Sequence, residues 1–565
     1  MMGYNGVTRR EWRWVLILSA VALAATSVPY LAGWMQSSPD HIFGGCILLV
    51  DDCYSYLAKM RLGAEGAWLF RIVHTSEAHE GAFLYTFYLA LGKLAVLLPI
   101  GDLATRLVWG YHGARMMLGL GLLLTVYRFL AAFTARAAVR RLAWLMVAFG
   151  GGLGWLLVLL GRSTWWGTPP LDFYLPEGFG LLVLYGFPHL ALAQALLLWG
   201  VLFFLRSWGA LPAEELDRQQ DAGKLARMPP RWRRSLSLPR EWERLGWGAA
   251  AGLAWLLMGL VLPFYVAVGW AVMGAAWWAL LVRERRILWQ EATWGVVMVL
   301  ISSPVPLYSA WVFSTDPVYR AWAAQNQILS PHPLHFLSAY GVALALACFA
   351  ARDVWRADGP GWLTVVWVCV APVLLYLPFN LQRRLIVGAQ APLSLLAAWG
   401  AIKLWRGGKR WLLGALIATM IPTGLILLLG GSAWMLSCPP LVFRDRGEVA
   451  ALDWLDKRIQ PDDVVLTAYD TGNYLPVRVF GRVFLGHGLE TVDAEVKEAQ
   501  VARFFDVRTD DDWRRNLLMA YGIDYVFWGP AERALGAFDP HNTPYLQSIY
   551  EVNGYAVFEV GEVEP

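Results

Sequence analysis

The sequence predicts an α-helical polytopic membrane protein with about eleven transmembrane helices and a small C-terminal extracytoplasmic α/β domain. First, 57% of its 565 residues are apolar and only 16% are charged, whereas about a quarter of the residues of a soluble protein are charged. Second, apolar runs of about 20 residues recur, which is the length of a helix that crosses a bilayer. Third, residues 441–565 are acidic, with 22 Asp or Glu and 12 Lys or Arg. These observations exclude an ordinary cytosolic enzyme.

The first apolar run, 14–34, directly follows three arginines within residues 9–13. Basic residues are retained on the cytoplasmic side of a membrane, and the run lacks the small-residue cleavage site of a signal peptide. We therefore predict a retained helix with a cytoplasmic N-terminus. The next apolar stretch, 83–100, is short and interrupted, and a crossing there would place the basic cluster 128–141 outside. We expect it to lie along the outer interface instead.

With that choice, the predicted spans alternate across the plasma membrane at 14–34, 108–130, 142–160, 180–205, 245–260, 262–282, 288–310, 334–351, 362–379, 385–402 and 411–434. The cytoplasmic segments, among them the Arg-rich stretch 206–244, then hold 25 of the 35 Lys and Arg of residues 1–440. Cytoplasmic loops thus explain the excess of basic residues in 1–440. No nucleic-acid partner is predicted. Residues 1–440 form the predicted transmembrane domain, with a first outer loop at about 35–107, and residues 441–565 form the outer domain.

The tail has the patterns of a soluble α/β domain. Residues 449–459 read as an amphipathic helix, and 463–468 and 525–528 read as strands. Two Gly-containing segments, 471–473 and 486–488, are interpreted as turns, and neither forms a nucleotide-binding motif. The five cysteines suggest neither a disulfide framework nor a zinc site, and Cys46 and Cys53, seven residues apart, are the one pair that could form a disulfide.

The first outer loop carries the candidate chemistry. Asp51 and Asp52 are adjacent carboxylates that directly follow an apolar stretch, and burying them costs free energy unless they are paired or used. An alternative is that one of them only caps a helix over 53–63. The other candidates of this loop are Tyr54, Tyr56, Lys59, Arg61, His74, Glu77, His79 and Glu80.

The acidic pair after the first span, followed by Gly113-Ala114-Arg115 at the opening of the next span, resembles the GT-C glycosyltransferases. These include the protein O-mannosyltransferases, the aminoarabinose transferases and the oligosaccharyltransferases. The chain has Asp51-Asp52 where the mannosyltransferases have Asp-Glu, and Glu80-Gly81 where the aminoarabinose transferases have Pro-Pro. The resemblance implies a GT-C-like fold for residues 1–440. It also implies inverting transfer of a sugar from a polyprenyl-phosphate donor to a protein, glycan or lipid on the outer face.

Such a transfer needs a general base for the acceptor and cations for the departing phosphate. By resemblance Asp51 is the catalytic base, and Asp52 positions the acceptor or, with Asp51, helps to hold Mg²⁺ or Mn²⁺. The candidate phosphate ligands are Arg115, Lys59, Arg61, Arg383 and Arg384. For the last two the alternative is snorkelling at the interface.

Other interpretations compete with this one. His332 is a further candidate, although a lone histidine is more often structural, and the Trp-rich segment 165–177 suits interfacial anchoring. A secondary transporter would have charged or broken segments at the membrane midplane, and a non-enzymatic envelope assembly protein would use the tail for binding. Replacing Asp51 by Asn discriminates among the three, because only the enzyme loses a transfer activity.

Overall fold

The structure is a computed structural model that describes residues 6–210 and 240–561. It divides into two compact units. The helical unit comprises Met1–Thr26, Arg115–Tyr308 and Ile328–Leu428. The mixed unit comprises Ser27–Ala114, Ser309–Gln327 and Leu429–Pro565. The mixed unit therefore draws on the first predicted outer loop and on the tail. Most of the predicted cytoplasmic stretch 206–244 lies outside the described residues.

Helices account for most of the described chain. Their bounds are Arg9–Met35, Val50–Ala64, Thr86–Ala95, Leu103–Phe133, Ala137–Phe149, Gly154–Leu159, Leu171–Tyr174, Gly180–Gly186, Pro188–Ser207, Arg240–Val261, Tyr265–Glu284, Trp289–Ser302, Pro304–Thr315, Pro317–Gln325, Pro333–Arg356, Trp362–Leu375, Gln390–Arg406, Arg410–Ala418, Pro422–Leu436, Arg446–Leu455, Tyr469–Arg478, Ala494–Phe505, Asp511–Tyr521 and Pro530–Leu535, with 3-10 turns at Gln382–Ile386 and Pro540–Asn542.

Among the described residues, eight helices are long and apolar enough to cross a membrane. They are Arg9–Met35, Leu103–Phe133, Ala137–Leu159, Pro188–Ser207, Trp242–Val261, Tyr265–Glu284, Pro333–Arg356 and Leu413–Leu436. The pair Trp289–Ser302 and Pro304–Thr315, bent by 48°, makes a ninth if it is one span. The chain is thus a multi-pass helical membrane protein, and the count of eleven stays a prediction. The two remaining predicted spans correspond to the shorter helices Trp362–Leu375 and Gln390–Arg406.

Proline explains where the helices differ from the predicted spans. The predicted span 180–205 is two helices, because Pro188 lacks an amide hydrogen and begins a new helix instead of continuing the old one. The predicted division of 245–282 is confirmed, since helices end at Val261 and begin at Tyr265 on either side of Pro263. The stretch 83–100 contains only the ten-residue helix Thr86–Ala95. That helix rises about 15 Å, half of what a bilayer core requires.

The tail contains a mixed five-stranded sheet of order β4-β3-β5-β7-β6. The strands are β3 Val464–Leu466, β4 Arg482–Val483, β5 Ile523–Trp528, β6 Leu546–Val552 and β7 Tyr555–Val560. Strand β3 is parallel to β4 and β5, and β7 is antiparallel to β5 and β6. A separate antiparallel pair joins β1 His41–Phe43 to β2 Phe443–Asp445. The predicted α/β tail, with strands at 463–468 and 525–528, is confirmed.

Two local predictions about the mixed unit are wrong. Residues 471–473 are not a turn but part of the helix Tyr469–Arg478. Gly472 serves close packing there, because a Cβ atom on it would lie 1.9 Å from the carbonyl oxygen of Leu485. The capping interpretation of the acidic pair also fails. The helix begins at Val50 and is preceded by Leu49, with no side-chain cap.

Candidate active site

The helix Val50–Ala64 places the acidic pair in its first turn. The predicted disulfide is present, and it ties Cys53 of this helix to Cys46 of the preceding loop. Asp51 and Asp52 are both half-buried. The positive end of the helix dipole favours ionised carboxylates at this position. The pair is therefore fixed on a rigid element and partly shielded from water.

Asp51 is held by two side chains of the tail helix Tyr469–Arg478. Its Oδ2 accepts a hydrogen bond from the Tyr469 hydroxyl at 3.1 Å, and its Oδ1 accepts one from the Asn473 amide at 3.0 Å. The Tyr469 oxygen in turn accepts the backbone N–H of Gly488 at 3.2 Å. Burial, followed by the charge of Asp51, raises the pKa of Tyr469, which keeps the phenol protonated at neutral pH.

Asp52 faces a different residue of the tail, His487. The Nε2 atom of His487 lies 3.3 Å from Oδ1 of Asp52. Burial alone would lower the pKa of His487, but the hydrogen bond with Asp52 and the charge of Glu490 outweigh that effect and raise it. The imidazole therefore favours its charged form beside the acidic pair.

A buried ionic cluster lies one to two turns further along the same helix. Nζ of Lys59 is 2.5 Å from Glu490, whose other carboxylate oxygen is 3.0 Å from His74. Ser55 also donates to Glu490, at 2.8 Å. Burial would raise the pKa of Glu490, but the charge of Lys59 and the hydrogen bond with His74 hold it well below its ordinary value. Burial lowers the pKa of His74 despite Glu490.

The contacts of Lys59 and Arg61 favour a structural role over the predicted phosphate binding. Lys59 is 1% exposed and has Glu490 as its counter-ion. Arg61 is buried and pairs with Asp456 at 2.6 Å and with Glu65 at 3.3 Å. Both cations are thus neutralised by carboxylates of the mixed unit itself.

The remaining candidates of the first loop mainly support the fold. Tyr54 is buried and donates to the carbonyl of Leu441, and Tyr56 is buried and stacks on Tyr88. Glu77 forms an ion pair with Lys497 at 2.8 Å. His79 accepts the N–H of Ile72, and its other ring nitrogen contacts the carbonyl of Glu77. Glu80 is exposed.

Arg383 and Arg384 lie in the 3-10 turn Gln382–Ile386 of the helical unit. Arg383 donates to the hydroxyl of Tyr174 at 2.8 Å, and its guanidinium lies 4.9 Å from the centroid of that ring. Its Nε is buried and has no hydrogen-bond partner among the described residues. Nε of Arg384 is 3.4 Å from Glu177. Specific protein partners of this kind are not expected of side chains that only snorkel.

Arg115 and His332 are the last of the predicted candidates. Arg115 lies within the helix Leu103–Phe133, which begins where Asp102 accepts the N–H of Thr105, and its place at the mouth of a span stays a prediction. The buried Arg115 donates to the carbonyl of Leu184 at 3.0 Å. His332 precedes the helix Pro333–Arg356, and its Nδ1 accepts the N–H of Leu334. Its contacts favour a capping role.

Asp51 and Asp52 supply at most two carboxylates to a metal ion. Both oxygens of Asp51 accept hydrogen bonds from Asn473 and Tyr469. Residues 6–210 and 240–561 contain no group of three or more His, Cys, Asp or Glu side chains that could hold a metal. Mg²⁺ takes six oxygen ligands, of which one or two are commonly carboxylates and the others are waters or phosphate oxygens of a substrate. The predicted Mg²⁺ or Mn²⁺ at Asp51 and Asp52 therefore stays a prediction, and no step below passes through a metal.

Four residues of this site were not predicted, namely Tyr469, Asn473, His487 and Glu490. Each lies more than 400 positions from its partner in the first loop. The one available signal was the spacing of Tyr469 and Asn473, because residues four apart share a helix face. That signal was lost when 471–473 was interpreted as a turn.

Solved structures share this architecture. The archaeal oligosaccharyltransferase AglB from Archaeoglobus fulgidus, in complex with an inhibitory peptide and a dolichol-phosphate, has a TM-score of 0.51 and 11% identity, and the match covers 98% of this chain and 75% of that one. The arabinofuranosyltransferase AftD from Mycobacteria has a TM-score of 0.51 and 17% identity, covering 99% of this chain and 42% of that one. No protein-family model and no curated protein matches the sequence.

Both of these structures are GT-C glycosyltransferases. This chain is therefore a multi-pass membrane protein with the GT-C fold and a small sheet domain at its C-terminus. The resemblance drawn from Asp51-Asp52 and Ala114-Arg115 is confirmed at the level of the fold.

Proposed function

We propose that this protein is an inverting glycosyltransferase that moves a sugar from a polyprenyl-phosphate donor to an acceptor on the outer face of the plasma membrane. Asp51 is the catalytic base of this proposal. The observation that carries the proposal is the environment of Asp51, namely its burial and its hydrogen bonds, in a chain with the GT-C fold. The carboxylate is half-buried in the first turn of a helix and is held by two hydrogen-bond donors.

The chemical step is a single displacement. A lone pair of the acceptor oxygen forms a bond to the anomeric carbon while the bond from that carbon to the phosphate oxygen breaks. The acceptor proton passes to Asp51, and the bonding electrons leave with the polyprenyl phosphate. Because the acceptor attacks opposite the leaving group, the configuration at the anomeric carbon inverts. General-base catalysis of this kind contributes about 10²–10⁴-fold to a rate.

The departing phosphate needs a cation, and Arg383 is our first candidate. Its guanidinium is oriented by Tyr174 and keeps one buried donor without a partner among the described residues. A guanidinium binds phosphate oxygens through paired N–H groups. The dolichol-phosphate bound to the similarly folded AglB supports a lipid-linked donor. The sequence offers no nucleotide-binding motif that would favour a soluble nucleotide sugar.

The orientation of the chain is part of this proposal. The partition of Lys and Arg supports a cytoplasmic N-terminus and an extracytoplasmic tail. We likewise propose that residue 440 is the boundary between the transmembrane domain and the outer domain. A reporter fused after Pro565 that is active only in the cytoplasm should therefore stay inactive.

A donor-specificity assay tests the function. Purified protein in liposomes is given cell-envelope extract as acceptor, and either a panel of labelled polyprenyl-phosphate sugars or the matching nucleotide sugars. We expect label to move to the acceptor from a lipid-linked donor and not from a nucleotide sugar alone. Efficient transfer from the nucleotide sugar would contradict the proposal, as would no transfer from any lipid-linked donor.

A further inference from the structure

We propose that the tail helix Tyr469–Arg478 supplies two positioning residues, Tyr469 and Asn473, which fix the carboxylate of Asp51 in the orientation that a base requires. This inference rests on the proposed function, because it assigns the tail a part in the same reaction. It differs from a role of the tail as a binding module, since the two tail residues act on the base and not on a binding partner.

The spacing along the tail helix makes the arrangement possible. Tyr469 and Asn473 are four residues apart, so both side chains lie on the same face of one helix. One donates to each oxygen of Asp51. Two donors on two oxygens fix both the position and the plane of the carboxylate. Each carboxylate oxygen accepts more than one hydrogen bond, so a lone pair is left for the acceptor hydroxyl.

The direction of the Tyr469 hydrogen bond is set by the backbone. A hydroxyl has one proton to donate and two lone pairs. The N–H of Gly488 donates to the Tyr469 oxygen at 3.2 Å. The single hydroxyl proton is therefore directed to Asp51, and the raised pKa of Tyr469 keeps that proton in place.

Asn473 gives the strongest indication of a role beyond folding. A buried amide normally has hydrogen-bond partners at both its oxygen and its nitrogen. The buried Asn473 donates its nitrogen to Asp51, whereas its Oδ1 is buried without a partner among the described residues. Only the end of the side chain that faces the proposed base is satisfied.

The tail helix is itself firmly supported within the mixed unit. Arg478, at its end, pairs with Asp453 at 2.8 Å. Gly472, between the two positioning residues, packs so closely on the carbonyl of Leu485 that no larger residue fits. The donors are therefore presented by a fixed element, and fixed donors preorganise a catalytic group better than mobile ones.

The positioning role gives a specific kinetic readout. A base that is held less precisely loses its effect on the transition state, so removing either hydrogen-bond donor to Asp51 should lower kcat and leave the donor KM unchanged. The charged and titratable groups near Asp51 and Tyr469 include Asp52, Tyr54, Asp470 and His487, and all four are unchanged in the variants.

The test compares Tyr469→Phe and Asn473→Ala with a matched control, Tyr545→Phe. Tyr545 is also a tyrosine of the mixed unit that donates to an aspartate, Asp511, at 2.9 Å. We expect each of the first two variants to lower kcat about tenfold, the effect of one hydrogen bond of about 1.4 kcal/mol. The donor KM should stay constant. Asn473→Asp, which replaces the amide donor by a like charge beside Asp51, should lower kcat further.

Infrared difference spectroscopy gives a readout that does not need activity. The carboxylate stretching bands present in each protein and missing from its Asp51→Asn counterpart report the hydrogen bonds of Asp51. We expect these bands to shift in Tyr469→Phe relative to the wild type and to keep their position in Tyr545→Phe. If Asn473→Ala does not fold, the Tyr469→Phe pair decides.

The outcomes separate the inference from the proposed function. Unchanged kcat and unchanged carboxylate bands in Tyr469→Phe and Asn473→Ala would overturn the inference, as would equal changes in Tyr545→Phe. Full transfer activity in Asp51→Asn would instead overturn the assignment of the base.

Discussion

Two pairs of cations, Lys59 with Arg61 and Arg383 with Arg384, are both predicted from the sequence as phosphate ligands. Their surroundings in the structure differ. Lys59 and Arg61 belong to the mixed unit and are buried against carboxylates, with Glu490 at 2.5 Å from Lys59 and Asp456 at 2.6 Å from Arg61. Arg383, in the helical unit, donates to a neutral phenol, and its Nε has no partner within the part of the chain that the structure describes.

The difference shows how a structural cation is told from a ligand-binding one. A buried cation that is already neutralised stabilises the fold and has little to offer a phosphate. A cation held in place by neutral groups keeps its charge and its donors for an anion. The comparison predicts opposite phenotypes for the two pairs, one in stability and the other in binding.

The largest effect on stability is expected for Lys59→Met. This change leaves Glu490 buried without its cation, and breaking a buried pair in this way costs about 3–5 kcal/mol. When thermal unfolding in detergent is monitored by the fluorescence of the tail, the midpoint should be clearly lower than that of the wild type. Lys457→Met, at an exposed position of the same unit, is the control and should change stability by no more than about 0.5 kcal/mol. A wild-type unfolding midpoint in Lys59→Met would contradict the structural role of Lys59.

The next effect concerns donor binding by Arg383. Arg383→Ala should weaken binding of a polyprenyl phosphate about ten- to hundredfold, because a charge-assisted hydrogen bond is worth about 1.5–3 kcal/mol. The unfolding midpoint should change little. Arg383→Lys should restore part of the affinity, since an ammonium group lacks the planar fork. Equilibrium binding measured with Arg286→Ala, an exposed arginine of the helical unit, provides the control. Wild-type affinity in Arg383→Ala would restore the snorkelling alternative.

The smallest effect is a pH dependence of stability at His487. Its pKa is raised in the folded protein, after burial is outweighed by Asp52 and Glu490. The stabilisation is therefore fully present below the unfolded pKa of about 6.5 and is lost as pH rises through the folded value. His487→Gln should lower the free energy of unfolding at pH 5.5 by about 1 kcal/mol more than it does at pH 9.

The groups around His487 define the control for this pH dependence. It faces Asp52 and Glu490, with His74 at a ring distance of 6.0 Å and Lys59 also acting on it. Asp52→Asn should remove most of the difference between the two pH values. An equal loss at both pH values in His487→Gln would show that the imidazole contributes packing alone.

The sequence predicted the helical part of the fold well because bilayer thickness imposes a length on apolar runs. Arg9–Met35 and Tyr265–Glu284 follow directly from that rule. The break at Pro188 was missed because hydropathy is continuous across it, whereas the missing amide hydrogen interrupts the helix. Strands β3 and β5 were found because buried strands form short apolar runs.

The candidate site was predicted only in part. Asp51 and Asp52 were visible because adjacent carboxylates after an apolar stretch are unusual. Their partners Tyr469, Asn473 and His487 were not, because pairing across more than 400 residues leaves no local pattern in one sequence. The same reason explains Lys59, whose counter-ion Glu490 favours a structural role for it and could not be seen from the sequence.

The most direct test of the central claim is the single-turnover transfer rate of Asp51→Asn, measured together with its affinity for the lipid-linked donor. Replacing a base acts on the transition state, so we expect the rate to fall about 10²–10⁴-fold while donor affinity stays at the wild-type value. Asp462→Asn, at an exposed carboxylate of the same unit, should behave like the wild type. A wild-type rate in Asp51→Asn, or a loss of donor binding large enough to explain the slower rate, would contradict the assignment of Asp51 as the base.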